Sequence, residues 1–196
     1  MEDLIFATKN PGKLREIKAL LLDSPYNVVS MAEAGIDAEV DETGETFEEN
    51  AVLKAAEICR ITGKLTLADD SGLEIDFLDR KPGVQSARFM GRDTPYEIKN
   101  KQILELLANA PDEKRTARFV SVIAAAFPSG EVKTTYGVIE GIIAREAKGN
   151  NGFGYDPIFF VPELGMTTAE IPPDIKNKIS HRGKALTEMK SLLKKK

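Results

Sequence analysis

Cysteine is almost missing from this chain. One residue, Cys59, stands among 196, so no internal disulfide can form, and a reducing cytoplasm is the expected compartment. Cys59 has no cysteine or histidine partner at metal-type spacing, which assigns it to the core. Histidine also occurs once, as His181, and a lone histidine is more often structural or exposed than a ligand. No apolar run approaches bilayer length, so no membrane span is expected. The opening Met1-Glu2-Asp3 is acidic where a basic leader would stand, and no signal peptide is expected. Positive charge is not in excess: the net charge is −4, which argues against nucleic acid as a partner, because that binding rests on many phosphate-neutralising cations. A small polyanion needs only a few local cations and stays open. The Gly-x-x-x-x-Gly-Lys-Ser/Thr spacing is absent, so no P-loop fold follows. There is no internal repeat and no low-complexity segment.

What is present suits a globular protein, with 42% hydrophobic and 30% charged residues. The length supports a single domain over residues 1–196, with room for two lobes sharing one sheet but not for two independent domains. The stretch that stands out is Leu67-Ala68-Asp69-Asp70-Ser71-Gly72-Leu73. Two adjacent carboxylates end a short apolar run, which is costly unless something positive meets them, most simply a divalent metal held by oxygen ligands. The competing reading is an ordinary turn, since Asp, Ser and Gly are common turn residues.

Residues 4–7 read as a buried strand, and Thr8-Lys9-Asn10-Pro11-Gly12-Lys13 as the turn that launches a helix with Leu14, Ile17, Leu20 and Leu21 on one face. This loop offers a hydroxyl, an amide, backbone N–H groups and two lysines beside a helix N-terminus, a combination that favours phosphate. An Asn-Pro-Gly turn with solvated lysines is the alternative. Residues 26–31 form a candidate second strand, followed by an acidic loop. Thr46 and Glu49 make a capping box for a helix with Phe47, Ala51, Ala55, Ile58 and Cys59 inward, ending at Gly63. Lys54 lies away from that stripe, as a solvated helix lysine would.

Residues 65–68 feed the acidic pair, and Leu73, Ile75 and Phe77 alternate beyond it, which predicts one long half-exposed strand broken at Ser71-Gly72. Thr94-Pro95-Tyr96-Glu97 predicts a second capping box with proline at the first helical position. Residues 115–127 and 132–145 predict an antiparallel hairpin turning at Pro128-Ser129-Gly130. The glycine-rich run around Phe153 is either a hairpin loop with a packed ring or a place where a flat ligand meets both ring and backbone. Ser180 is placed to cap a last helix with Ala185, Leu186, Met189 and Leu192 inward. His181 and Arg182 in its first turn ask for an anionic or acceptor-rich partner. Residues 194–196 read as a frayed lysine tail.

Six stretches, taken together, resemble the inosine triphosphate pyrophosphatase family, enzymes that hydrolyse non-standard purine nucleoside triphosphates such as dITP and XTP. They are Thr8-Lys9-Asn10-Pro11-Gly12-Lys13; Glu42-Thr43-Gly44-Glu45-Thr46-Phe47-Glu48-Glu49-Asn50 with Lys54; Ala68-Asp69-Asp70-Ser71-Gly72; Pro82-Gly83-Val84 with Ser86-Ala87-Arg88-Phe89; Gly152-Phe153-Gly154-Tyr155-Asp156-Pro157; and Ser180-His181-Arg182. They follow the family's order over almost the whole chain. Pro172-Pro173 departs from it, where relatives more often carry a charged or helical lead-in to Lys176.

The resemblance implies a mixed α/β fold, a strongly twisted mixed sheet with flanking helices forming two lobes around a central cleft, and a homodimer. It implies that Thr8, Lys9, Asn10, Pro11, Gly12 and Lys13 bind substrate, with Thr8, Asn10 and Lys13 holding the triphosphate and Lys54 supporting it. Glu42 and Asp70 would reach Mg²⁺, with Mn²⁺ as the alternative. Asp70 would also be the general base and Ser71 a substrate contact. Phe153, Gly154, Tyr155 and Asp156 would surround base and sugar, and Lys176, His181 and Arg182 would recognise the base edge. Asp69 has two readings, a second metal carboxylate or a support for Lys54.

The implied reaction is water attack on the α-phosphorus, giving a nucleoside monophosphate and pyrophosphate. Inosine and xanthosine carry a 6-oxo acceptor where adenosine carries a 6-amino donor, so cationic donors would leave ATP badly paired. Three other readings compete. A non-catalytic nucleotide sensor has no need of Asp69, Asp70 and Glu42 together. A haloacid-type phosphatase wants Asp-x-Asp after the first strand, where this chain has Thr8-Lys9-Asn10. A pyrimidine-selective pyrophosphatase of related fold is the nearest rival, and Lys176, His181 and Arg182 favour a 6-oxo purine over it.

Overall fold

The computed structural model of the chain describes residues 2–194. Met1 of the acidic opening and residues 195–196 of the lysine tail lie outside them. In chain order the first elements are β1 (Glu2–Phe6), α1 (Pro11–Leu20), β2 (Tyr26–Ser30), α2 (Phe47–Thr62), β3 (Thr66–Ile75), β4 (Lys81–Pro82) and α3 (Tyr96–Leu106). Then come β5 (Thr116–Ala126), β6 (Val132–Ile143), β7 (Phe159–Val161), β8 (Met166–Thr167), α4 (Pro173–Ile179) and α5 (His181–Leu193). The class is mixed α/β, with parallel and antiparallel strand pairs. The chain divides into two compact units, one made of Met1–Asp70, Ser121–Gly137 and His181–Lys196, the other of Ser71–Val120 and Val138–Ser180.

In the first unit β1 lies between β2 and β3 and runs parallel to both, from Glu2↔Tyr26 to Phe6↔Ser30 on one side and at Ile5↔Thr66 and Phe6↔Leu67 on the other. A parallel neighbour needs a crossover, and α1 supplies it between β1 and β2. Asn10 starts α1 as N-cap, its side-chain oxygen accepting from Gly12 N at 2.8 Å and Lys13 N at 3.1 Å, with Pro11 just inside. The capping box of α2 forms as its sequence predicts: Thr46 Oγ1 accepts from Glu49 N at 3.1 Å and Glu49 Oε2 from Thr46 N at 3.2 Å. Gly63, left-handed at φ 63°, closes the helix with its N–H on Cys59 O. Leu4, Phe6, Ile17, Leu67, Ile123, Leu186 and Met189 are wholly or almost wholly buried in this unit's core.

One glycine sets how α5 begins. A Cβ on Gly137 of β6 would stand 1.9 Å from His181 O and 2.6 Å from Ala185 N, so only glycine lets this strand and the first turn of α5 meet. Thr135 Oγ1 fastens the same turn by donating to Ala185 O at 2.8 Å. Gly137→Ala is expected to cost about 1–3 kcal/mol by overpacking against backbone. Urea unfolding measures it, and a wild-type midpoint would count against the contact.

In the second unit β4 pairs antiparallel with the end of β3, and β6, β7 and β8 follow one another antiparallel, through Ile142↔Phe160 and Phe160↔Thr167. Leu73, Ile75, Ile103, Leu107, Tyr155, Ile158 and Phe159 belong to its core. Arg115 is buried there; its guanidinium donates to the carbonyls of Ile143, Leu107 and Ala144 at 2.6–2.8 Å. The hairpin from β5 to β6 turns where its sequence predicts, with Gly130 at φ 90° and its N–H on Phe127 O.

Two local expectations fail. β3 is not broken at Ser71-Gly72; ten residues run on, all buried except half-buried Ser71 and Glu74. Pairing with β1 at one end and β4 at the other overrides the turn preference of Asp-Ser-Gly. Thr94 makes no capping box either: Pro95 takes the N-cap position of α3 without a side-chain bond, and the Thr94 hydroxyl donates to Met90 O at 2.7 Å. The short β4 and β8 carry too few residues for periodicity to show them. Pro172-Pro173 fits a helix start, with Pro172 as N-cap and Pro173 in the first turn of α4.

Candidate active site

The loop after β1 is more self-contained than a phosphate loop with open amides. Asn10 N donates to Thr8 Oγ1 at 3.1 Å, and Gly12 N and Lys13 N donate to Asn10 Oδ1. Three backbone N–H groups are thereby engaged inside the loop. Lys9 is exposed, with Asp37 3.8 Å away, a contact worth little in solvent. What the loop sends inward is Lys13. Its ammonium lies 2.6 Å from Asp69 Oδ2, and burial lowers its pKa against the pull of Asp69.

Lys54 is not the solvated helix lysine its position suggests. Its Nζ lies 2.6 Å from Glu42 Oε1, 2.9 Å from Asp69 O and 3.2 Å from Asp70 Oδ1. Burial works to lower its pKa, but Asp70 and Glu42 outweigh that and the ammonium is held charged. The two carboxylates expected to reach a metal therefore meet on one nitrogen.

The acidic pair at the middle of β3 divides into two different residues. The Asp69 side chain has no exposure and receives Lys13 at 2.6 Å, Ser121 Oγ at 2.5 Å and Arg182 Nη2 at 3.3 Å. Burial alone would raise its pKa, yet Arg182 and Lys13 hold it well below the usual carboxylate range. Asp70 is also buried, and its Oδ2 has no hydrogen-bond partner. Burial raises its pKa, outweighing Lys54 and Lys13, with Glu42 and Asp69 adding to the rise. No group of three or more His, Cys, Asp or Glu is placed to hold a metal among the described residues. Two carboxylates, one with an orphaned buried oxygen, still suit magnesium, which completes its shell with water and phosphate oxygens.

Arg182 belongs to this same unit. It is 2% exposed and bridges Asp69 to Glu16 of α1, with its Nη1 on Glu16 Oε2. His181 is buried beside it. Sequence reasoning placed both at the base edge with Lys176; the structure places them with Lys13 and Asp69 in the first unit, and Lys176 in the second.

The second unit gathers the glycine-rich loop and α4. Lys176 Nζ lies 2.6 Å from Asp156 Oδ2 and 5.4 Å from the centre of the Phe153 ring. Asp156 also accepts from Phe153 N at 2.8 Å and Thr168 Oγ1 at 2.8 Å, so it shapes the loop as much as it holds the lysine. A Cβ on Gly152, at φ 74°, would stand 2.0 Å from Asp156 Oδ2, so this turn also requires glycine. Gly154 O accepts from Asn100 Nδ2 at 3.1 Å. Tyr155, expected around base and sugar, is 4% exposed, edge-on to Tyr96 at 5.2 Å, its hydroxyl donating to Ser86 O at 2.7 Å. Ser71 stands half-buried on β3, one residue beyond Asp70.

Sequence reasoning missed Glu16 and Ser121. Glu16 looks like any helix glutamate. Ser121 had a signal, as a hydroxyl set between Val120 and Val122 in the otherwise apolar run from Phe119 to Ala126.

The first unit thus holds a buried acid flanked by two ammonium groups, and the second a cation over an aromatic ring, in a mixed α/β protein. The Ham1 family model matches residues 4–192, and the chain belongs to that family. It is 50% identical over 190 residues to a dITP/XTP pyrophosphatase of Desulforamulus reducens, covering 97% of this chain and 94% of that one. It is 47% identical over 193 residues to a dITP/XTP pyrophosphatase of Bacillus licheniformis, covering 98% of each. The solved structure of a HAM1 protein from Coxiella burnetii superposes with TM-score 0.90 at 41% identity, over the whole of both chains.

Proposed function

We propose that this chain is a dITP/XTP pyrophosphatase, which hydrolyses non-standard purine nucleoside triphosphates to the monophosphate and pyrophosphate. The observation that carries the chemistry is Asp70, a buried carboxylate with a raised pKa and an unpartnered Oδ2, beside the ammonium groups of Lys54 and Lys13. In this reading water attacks the α-phosphorus, Asp70 takes its proton, the α–β phosphoanhydride bond breaks and pyrophosphate leaves. Lys13 and Lys54 neutralise the phosphate oxygens as charge gathers on them.

Glu42 and Asp70 would hold magnesium, with manganese as the alternative; bound there, the ion lowers the pKa of a water and shields phosphate charge. The charge count supports that need. Lys13, Lys54 and Arg182 face four carboxylates, Glu16, Glu42, Asp69 and Asp70, so a triphosphate requires a further cation. We extend the same reading to a division of labour, with the first unit holding triphosphate and metal and Phe153, Gly154, Asp156 and Lys176 of the second meeting the base. His181, Ser71 and the loop from Thr8 to Lys13 remain substrate contacts within it. The resemblance to the pyrophosphatase family extends the reading to two lobes around a cleft and to a homodimer. The buried thiol of Cys59 suits the cytoplasm; no helix among the described residues is long and apolar enough to cross a membrane.

The test is product analysis. Incubation with dITP and magnesium yields pyrophosphate and dIMP, resolved by anion-exchange chromatography. Orthophosphate and dIDP would mean attack at the γ-phosphorus and would overturn the reading.

A further inference from the structure

We propose that Asp69 is a positioning residue for the phosphate lysines, held in place by Ser121, and neither a metal ligand nor a base. The inference rests on the reading of the first unit as a triphosphate site and assigns an acidic residue there that has no role in it.

The contrast with Asp70 decides the matter. Asp70 has a carboxylate oxygen without a partner. Asp69 has donors on both oxygens: Lys13 and Arg182 on Oδ2 and the Ser121 hydroxyl on Oδ1. A metal reaching Asp69 would have to enter beside three donors on a side chain with no exposure, and any donor it displaced would be left buried and unpaired. The main chain of Asp69 acts in the same sense. Its carbonyl oxygen accepts from Lys54 Nζ at 2.9 Å and from Lys13 Nζ at 3.4 Å. Both lysines thus converge on one residue of β3, Lys54 through the backbone and Lys13 through carboxylate and backbone together. A flexible lysine held at a fixed point loses less freedom when phosphate arrives, which is how a positioning group adds affinity and rate.

Ser121 fixes the fixer. It lies on β5 with no exposure and donates to Asp69 Oδ1 at 2.5 Å. With one oxygen tied to a neighbouring strand, the carboxylate keeps the rotamer that presents Oδ2 to Lys13. Since Lys54 reaches the carbonyl, a side-chain change at position 69 acts on Lys13 first.

The experiment is calorimetric binding of inorganic pyrophosphate and of dIMP, with magnesium, to wild type, Asp69→Asn and Ser121→Ala, alongside dITP kinetics at varied magnesium. Asp69→Asn is expected to weaken pyrophosphate about 30-fold and Ser121→Ala about threefold, the scale of a lost charge-assisted contact and a lost neutral one. KM for dITP rises in parallel, while dIMP affinity and the magnesium concentration giving half-maximal rate stay at wild-type values. Three results overturn the inference: pyrophosphate binding within about twofold of wild type in folded Asp69→Asn, dIMP weakened as much as pyrophosphate, or a shifted magnesium requirement. If Asp69→Asn does not fold, Ser121→Ala decides by the same comparison. Wild-type protein that leaves dITP intact or releases orthophosphate refutes the functional reading instead, before any variant is compared.

Discussion

At saturating magnesium, Asp70→Asn lowers kcat for dITP hydrolysis by about 10³-fold, within the range set by loss of a general base, and because it also removes one of the two carboxylates proposed to hold the metal, the magnesium requirement rises with it. Asparagine keeps the shape of the side chain and the oxygen that faces Lys54 3.2 Å away, so the phosphate lysines stay where they are. What disappears is the proton acceptor. An aspartate in water, with pKa about 4, accepts a proton poorly near neutrality; burial raises the affinity of Asp70 for a proton and so improves it as a base. The adjacent carboxylate cannot take over. Asp69 is kept ionised well below the usual range by Arg182 and Lys13, and a carboxylate stabilised as an anion is a weak base. Rapid-quench kinetics with dITP give kcat, and trapping of unreacted nucleotide gives binding. Near-normal turnover would remove Asp70 from the chemistry.

Much of the fold was legible because local rules and global packing agree. Thr46, Glu49 and Gly63 bound α2 by hydrogen bonds that their side chains and φ preference dictate, and Leu4-Ile5-Phe6-Ala7 announces a strand buried on both faces. The failures share a cause, which is that a neighbour overrules a local preference. Ser71-Gly72 would turn if left alone, but β3 is paired at both ends. Thr94 would cap α3, but Pro95 takes the N-cap position. The site was legible to the extent that charge in an apolar setting asks for a partner: Asp69 and Asp70 were conspicuous for that reason, whereas Lys54, away from the apolar stripe of α2, read as a solvated helix lysine. Which partner each would find was not. Arg182 is separated from Glu16 and Asp69 by more than a hundred residues of chain, and no periodicity links them. Nor did the sequence separate Lys176 from Arg182, two cations six residues apart that belong to different units.

That separation leads to the second large expected effect: Lys176→Met reduces the preference for dITP over ATP, taken as the ratio of kcat/KM values, by about 10²-fold. An ammonium donates and never accepts, so it suits a 6-oxo purine and opposes the 6-amino group of adenine. Arg182 is less suited to that task, since its guanidinium is buried between Glu16 and Asp69. Methionine keeps the length and apolar stem while removing the charge that lies 5.4 Å from the centre of the Phe153 ring. The substitution has a second consequence, because Asp156 is 2% exposed and loses the cation 2.6 Å from it; breaking such a buried pair costs about 3–5 kcal/mol. Asp156 also holds Phe153 N, so the loop itself would loosen. The double variant Lys176→Met with Asp156→Asn separates the two effects. It removes the stranded charge and restores much of the stability, and if Lys176 reads the base, the dITP preference stays low even so. Should the double variant recover the preference along with the stability, Lys176 would be a support for the loop and the base would be read elsewhere. Pyrophosphate affinity is the control, expected to stay at its wild-type value in both variants, because the lysines proposed to hold phosphate belong to the other unit.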